Sequence, residues 1–157
     1  MRKRFVIVAV FVALGASGAH AADQGSARSD WDRLIGAWHM VSMEEEGPGG
    51  TMTHHTERTG MLVYSADGHV SVQVMYPASE AGTTANAAYQ QDGYEASFGS
   101  FDVDERTHTV THHVQGSLVR SLIGKNLPRV MQFSSDGHLT LRSADAREKW
   151  SVTWVHD

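Results

Sequence analysis

The chain contains no cysteine. That absence excludes disulfides, thiolate metal sites and a lipid-modified cysteine anchor, so a domain built from it must be held by packing and hydrogen bonding. It also has no surplus of basic residues: 13 Lys and Arg stand against 18 Asp and Glu, a formal charge of −5 with histidines neutral. Nucleic acid and anionic membrane surfaces want a basic patch, and neither is an expected partner. No apolar run reaches the roughly 20 residues of a transmembrane helix. Missing too are a Gly-x-x-x-x-Gly-Lys phosphate loop, a His-Glu-x-x-His pair and a Gly-x-Ser-x-Gly elbow. Nucleotide hydrolysis, zincin proteolysis and α/β-hydrolase chemistry therefore have no warrant.

What is present begins with an export pattern. Arg2, Lys3 and Arg4 precede an apolar run over residues 5–14, and small residues follow up to Ala19-His20-Ala21. A cleavable signal peptide over residues 1–21 is expected, with delivery to the periplasm or the medium. Its removal takes away three basic residues, moves the formal charge from −5 to −8 and leaves 136 residues, the size of one ordinary domain. Residues 22–29 are small and polar and read as a flexible leader, and residues 30–157 as the folded domain.

Asp30 is a possible cap for a short helical turn through Leu34, followed by an extended segment over 37–45 with Trp38, Met40 and Ser42 on one face. Residues 44–58, rich in glutamate and glycine, read as a loop. Asp67-Gly68 sits between two alternating runs, 60–65 and 69–76, and signals a hairpin with Val70, Val72, Val74 and Tyr76 on a common face. Residues 77–95 have helical composition, and one short helix is expected there. A second hairpin pairs 99–103 with 108–114, and 117–123 reads as a further short strand. A third hairpin joins 129–133 to 139–142 at Asp136-Gly137, and a last strand over 149–155 points Trp150, Val152 and Trp154 one way. The pattern Tyr64-Ser-Ala-Asp-Gly-His-Val70 recurs as Phe133-Ser-Ser-Asp-Gly-His-Leu139, which two good hairpin turns explain more simply than a duplication. The chain is all-β: about eight antiparallel strands, joined mainly by tight turns with one short helix between strands, predict an up-and-down barrel whose interior admits side chains or one small ligand.

Gly36-Ala37-Trp38 resembles the Gly-x-Trp signature of lipocalins and related calycin barrels, in which the tryptophan plugs the closed end. More of the chain resembles the bacterial and fungal lipocalin-like domain family: Leu34-Ile-Gly-Ala-Trp38, Gly60-Met-Leu-Val-Tyr64 with Asp67-Gly68, Gly93-Tyr94 through Phe98-Gly99, and Thr111-His-His-Val-Gln-Gly-Ser117. The resemblance spans most of residues 34–142 and implies a calycin-type barrel, without implying a substrate. Lipocalins proper usually carry disulfides, and this chain departs from them there.

His112 is the foremost candidate site residue, because it falls between Val110 and Val114 on the inward face, where an imidazole needs a partner or a ligand. It reads either as a satisfied core histidine or as a pocket group, a hydrogen-bond donor or general base, and both readings stay open. Tyr76, Tyr94 and Arg120 are further candidates for ligand binding near the barrel mouth, the arginine as a partner for a ligand carboxylate. Ten histidines invite a metal. Yet His54-His55 and His112-His113 project to opposite sides if extended, and His108 and His112 are spaced about 13 Å apart along a strand. No metal site and no cofactor is expected. The sequence thus predicts an exported barrel holding a small hydrophobic or amphipathic molecule, with residues 77–95 over one mouth. The alternatives are an isomerase or cyclase with His112 as proton shuttle, and a filled structural barrel.

Overall fold

A computed structural model of the chain describes residues 28–47, 49–80 and 88–157. The signal peptide expected over residues 1–21, and most of the leader after it, lie outside them. A short helix, α1 (Asp30–Leu34), opens the described fold. Its N-cap is Ser29 rather than Asp30: the Ser29 hydroxyl accepts from the Asp32 N–H at 3.1 Å. Asp30 is buried and bonds the His108 ring at 2.6 Å instead. The Glu105 carboxylate accepts from the Asp30 and Trp31 N–H groups at 2.8 and 3.1 Å, so an acid from the far side of the chain completes the helix start.

Nine strands follow: β1 (Gly36–Glu46), β2 (Met52–His55), β3 (Thr59–Tyr64), β4 (His69–Met75), β5 (Tyr94–Asp104), β6 (Thr109–Ser117), β7 (Asn126–Phe133), β8 (Leu139–Ser143) and β9 (Trp150–His156). Each of β3 to β9 pairs antiparallel with the next, and β1 pairs with both β3 and β9, which closes the sheet. β3 covers only the first half of β1, and β2 covers the second half, so the two share one position around a closed barrel of eight antiparallel staves. The segment read from sequence as a loop over 44–58 therefore contains the end of β1 and all of β2. β2 faces water with three exposed residues, which is why no inward alternation marks it.

The inward face of β1 is Trp38 and Met40, then Met43 and Glu45, not Ser42. A β-bulge at Val41 shifts the register against β9 from Met40↔Trp154 to Ser42↔Thr153 and turns the alternation over by one residue. The expected short strand at 117–123 is instead the end of β6 followed by a 3-10 turn, Arg120–Leu122. The helix expected within 77–95 is absent from the described part of that stretch: Tyr94 and Glu95 already belong to β5, and residues 81–87 lie outside the description.

The ends of the barrel differ. Tight turns at 65–68, 104–108 and 134–138 gather with α1 at one end. There Trp38 is 2 % exposed, donates its indole N–H to the Leu34 carbonyl at 2.8 Å, and packs on the rings of Phe133 and His156. The two Asp-Gly-His turns are alike in detail: Ser65 and Ser134 each donate to the aspartate two residues on, and each hydroxyl also accepts from the N–H of the following histidine, at 3.2 and 3.0 Å. The recurring heptapeptide is thus explained by turn chemistry. β1, β4, β6 and β8 end at the opposite end of the barrel.

Gly36 shows why the plugged end needs its glycine. Its φ is +140°, and an added Cβ would lie 2.1 Å from the His156 Nε2. A Gly36→Ala substitution is expected to destabilise the fold by about 1–3 kcal/mol through that clash and the unfavourable φ, read as a lower urea midpoint. An unchanged midpoint would contradict this account of the plug.

Candidate functional site

Between the Trp38 plug and the open end the barrel is not filled. A cavity of about 80 Å³ remains, walled by apolar side chains such as Val72, Val74, Leu141 and Val152, with Trp150 and Trp154 on one side. The volume is several times that needed for one water and well below the roughly 300–1,000 Å³ of a drug-sized pocket. It suits a small molecule or a short file of waters.

Four ionisable side chains reach this apolar wall: His112, Glu95, Arg129 and the phenol of Tyr89. His112 projects inward from β6 as its alternation requires, and its Nε2 lies 2.7 Å from the Tyr64 hydroxyl, with the two rings edge to face. Burial, then the positive charge of Arg129, holds its imidazole down to about 3, so it is neutral at physiological pH. Burial also pushes the Tyr64 phenol upward. A protonated phenol donating to a neutral imidazole satisfies both groups, which places the ring hydrogen of His112 on Nδ1.

Glu95 enters from β5 and accepts from the Tyr76 hydroxyl. Burial raises its carboxyl above the ordinary range, against the hydrogen bond from Tyr76 and the charges of Arg129 and Arg58, which act to lower it. It is half-buried and borders both the cavity and an outer groove beside Met61 and Met75. Arg129, on β7 between inward-facing Leu127 and Met131, is 7 % exposed, with its guanidinium 5.1 Å from the Tyr89 ring centre and 4.7 Å from that of Trp150. Trp154, on the same wall, has an indole N–H with no acceptor among the described residues.

Tyr76 is buried beneath this wall through its bond to Glu95. Tyr94 and Arg120 sit elsewhere: both are exposed, Tyr94 on an outer groove beside Met61 and Met75, Arg120 on a separate groove beside Ile123. The cavity thus brings together His112 and, at one remove, Tyr76, but not Tyr94 or Arg120. Arg129, Glu95 and Tyr64 were missed in the sequence, although Arg129 stands in the inward register of Leu127-x-Arg129-x-Met131, a visible signal.

A second cluster closes the open end. Arg58 is 2 % exposed and donates to Glu45 at 2.5 Å and to Glu80 at 2.6 Å, with its guanidinium 4.4 Å from the Tyr76 ring centre. His55, Glu57 and Glu80 could offer a metal three ligand atoms within 4.8 Å of one another. The Arg58 Nη2 already lies 3.2 Å from the His55 Nε2, so a cationic side chain fills the place beside that imidazole. The cluster is better described as an ion-pair clasp tying β2 and Pro77–Glu80 to β1.

A model of the lipocalin-like domain matches residues 35–155, nearly the whole barrel. The chain belongs to the lipocalin-like domain family. No curated protein matches it. In this lipocalin-like domain the Gly-x-Trp plug and the eight-stave closure frame the cavity into which the polar groups project. No described helix is long and apolar enough to cross a membrane.

The depressed His112 pKa sets a pH dependence. The unfolded imidazole takes up a proton near 6.5, whereas the folded one does so only near 3. Its contribution to stability is therefore present above about pH 6.5 and is lost as pH falls towards 3. A His112→Gln variant, whose amide oxygen can still accept from Tyr64, is expected to lose less stability than the wild type over that range, by a few kcal/mol in urea unfolding at pH 7, 5 and 4. Parallel curves for the two proteins would rule out a buried neutral His112.

Proposed function

We propose that this lipocalin-like domain binds a small, partly apolar molecule inside its barrel, entering from the end opposite Trp38. The observation that carries the reading is a cavity with an apolar wall into which a few polar groups converge, the usual composition of a small-molecule site. A structural barrel would gain by filling that space with side chains, since voids and buried polar groups both cost stability.

The isomerase or cyclase reading gives His112 a proton to move. An imidazole held down to about 3 is a weak base at neutral pH, and its Nε2 is engaged by Tyr64. Those facts favour a role in binding and orientation over proton transfer. The export pattern at residues 1–21 supports delivery of the binding protein to the periplasm or the medium.

Two measurements test this. Protein purified gently from its native host is expected to carry, in native mass spectrometry, a small organic adduct that disappears on denaturation. An empty mass, together with unchanged tryptophan emission across small acids, amides and alcohols, would overturn the binding role. N-terminal sequencing of the exported protein should begin at Ala22, and intact Met1 on the extracytoplasmic protein would remove the cleavable signal.

A further inference from the structure

Arg129 is a buried cation that the described side chains leave without an ion-pair partner. No carboxylate among them lies within 4.0 Å of its guanidinium, and residues 81–87 contain no Asp or Glu. Its guanidinium donates to the Tyr89 hydroxyl and, over a long 3.4 Å, to the carbonyl of Pro128. The two nearest acids are engaged elsewhere: Glu148 takes the Tyr89 hydroxyl at 2.8 Å and the Trp150 indole at 3.3 Å, and Glu95 takes Tyr76. The same barrel shows what a neutralised arginine looks like, since Arg58 holds two carboxylates at 2.5 and 2.6 Å.

An unpaired buried charge is expensive unless something completes it. The rings of Tyr89 and Trp150 contact the guanidinium and help fix its position, and the arginine borders the cavity with no carboxylate directly paired to it. Planar guanidinium N–H groups match a carboxylate in bidentate geometry, and the low dielectric of an apolar wall strengthens such a pair.

Resting on the binding reading above, we propose that the occupant of the cavity is a small organic monoacid, its carboxylate on Arg129 and its compact apolar body against Val74, Leu141 and Val152. A cavity of about 80 Å³ admits an acid the size of acetate or propionate and turns away a long-chain fatty acid.

The test titrates the full-length mature protein with acetate against acetamide and propionate against propionamide at neutral pH, following the emission of the cavity tryptophans and the heat of binding. Each acid is expected to bind about 10-fold more tightly than its amide. Arg129→Met should abolish the preference and Arg129→Lys should keep part of it, with circular dichroism checking that both variants fold. The wild-type ratio decides the matter even if a variant does not fold. Equal affinity for acid and amide, or a preference unchanged in Arg129→Met, overturns the acid while leaving the binding role standing. Neither pair binding at millimolar concentration overturns both.

Discussion

Closure of the sheet by β1 against β9 is the constraint on which the rest of the molecule depends. Without cysteine, nothing covalent fixes the termini of the sheet, and an open meander would present two unpaired edges. The pairing runs from Trp38↔His156 to Glu45↔Trp150, so it brings the plug of one end and the mouth of the other into a single ladder. The bulge at Val41 lies within that ladder. By turning the alternation over once, it allows Trp38 to face inward at the closed end and Glu45 to face inward at the mouth, where Arg58 needs it. A strand of strict alternation could not do both from these positions.

Once the barrel is closed, each polar group on the inner face has to be satisfied by another inner-face group or by whatever occupies the space. Three solutions coexist. Tyr64 and His112 form a neutral pair in the dry middle of the barrel, where burial disfavours every charged form of both. Arg58 is neutralised by two acids drawn from β1 and the segment after β4. Arg129 is flanked by aromatic rings, with no described carboxylate within 4.0 Å, and it borders the cavity together with His112 and Glu95. The contrast between the second and third solutions separates architecture from the proposed recognition: one arginine holds the fold's mouth together, and the other is the proposed contact for a ligand acid.

Much of the fold was legible because a barrel strand declares itself by period-two alternation. Val70-x-Val72-x-Val74, Val110-x-His112-x-Val114 and Trp150-x-Val152-x-Trp154 all face inward as their spacing requires. The Asp-Gly turns fixed two hairpins by local chemistry. β2 was illegible because its exposed residues carry no inward face, and the shift at Val41 because a bulge is a property of two strands in register. The site was legible only in part. His112 stands out as a lone polar residue between valines, whereas Arg129 lies in a strand whose inward face is revealed only by its neighbours Leu127 and Met131. Tyr94 and Arg120 were drawn into the candidate site by residue type alone, and backbone geometry sends both side chains outward.

A crystal structure of the protein as purified from its host, taken to a resolution at which single waters are defined, tests the central claim most directly. The account predicts an open space between Trp150, Leu141 and His112, holding non-protein density that reaches the guanidinium of Arg129. Side chains collapsed into that space, with Arg129 turned out to solvent or paired to Glu148, would contradict it.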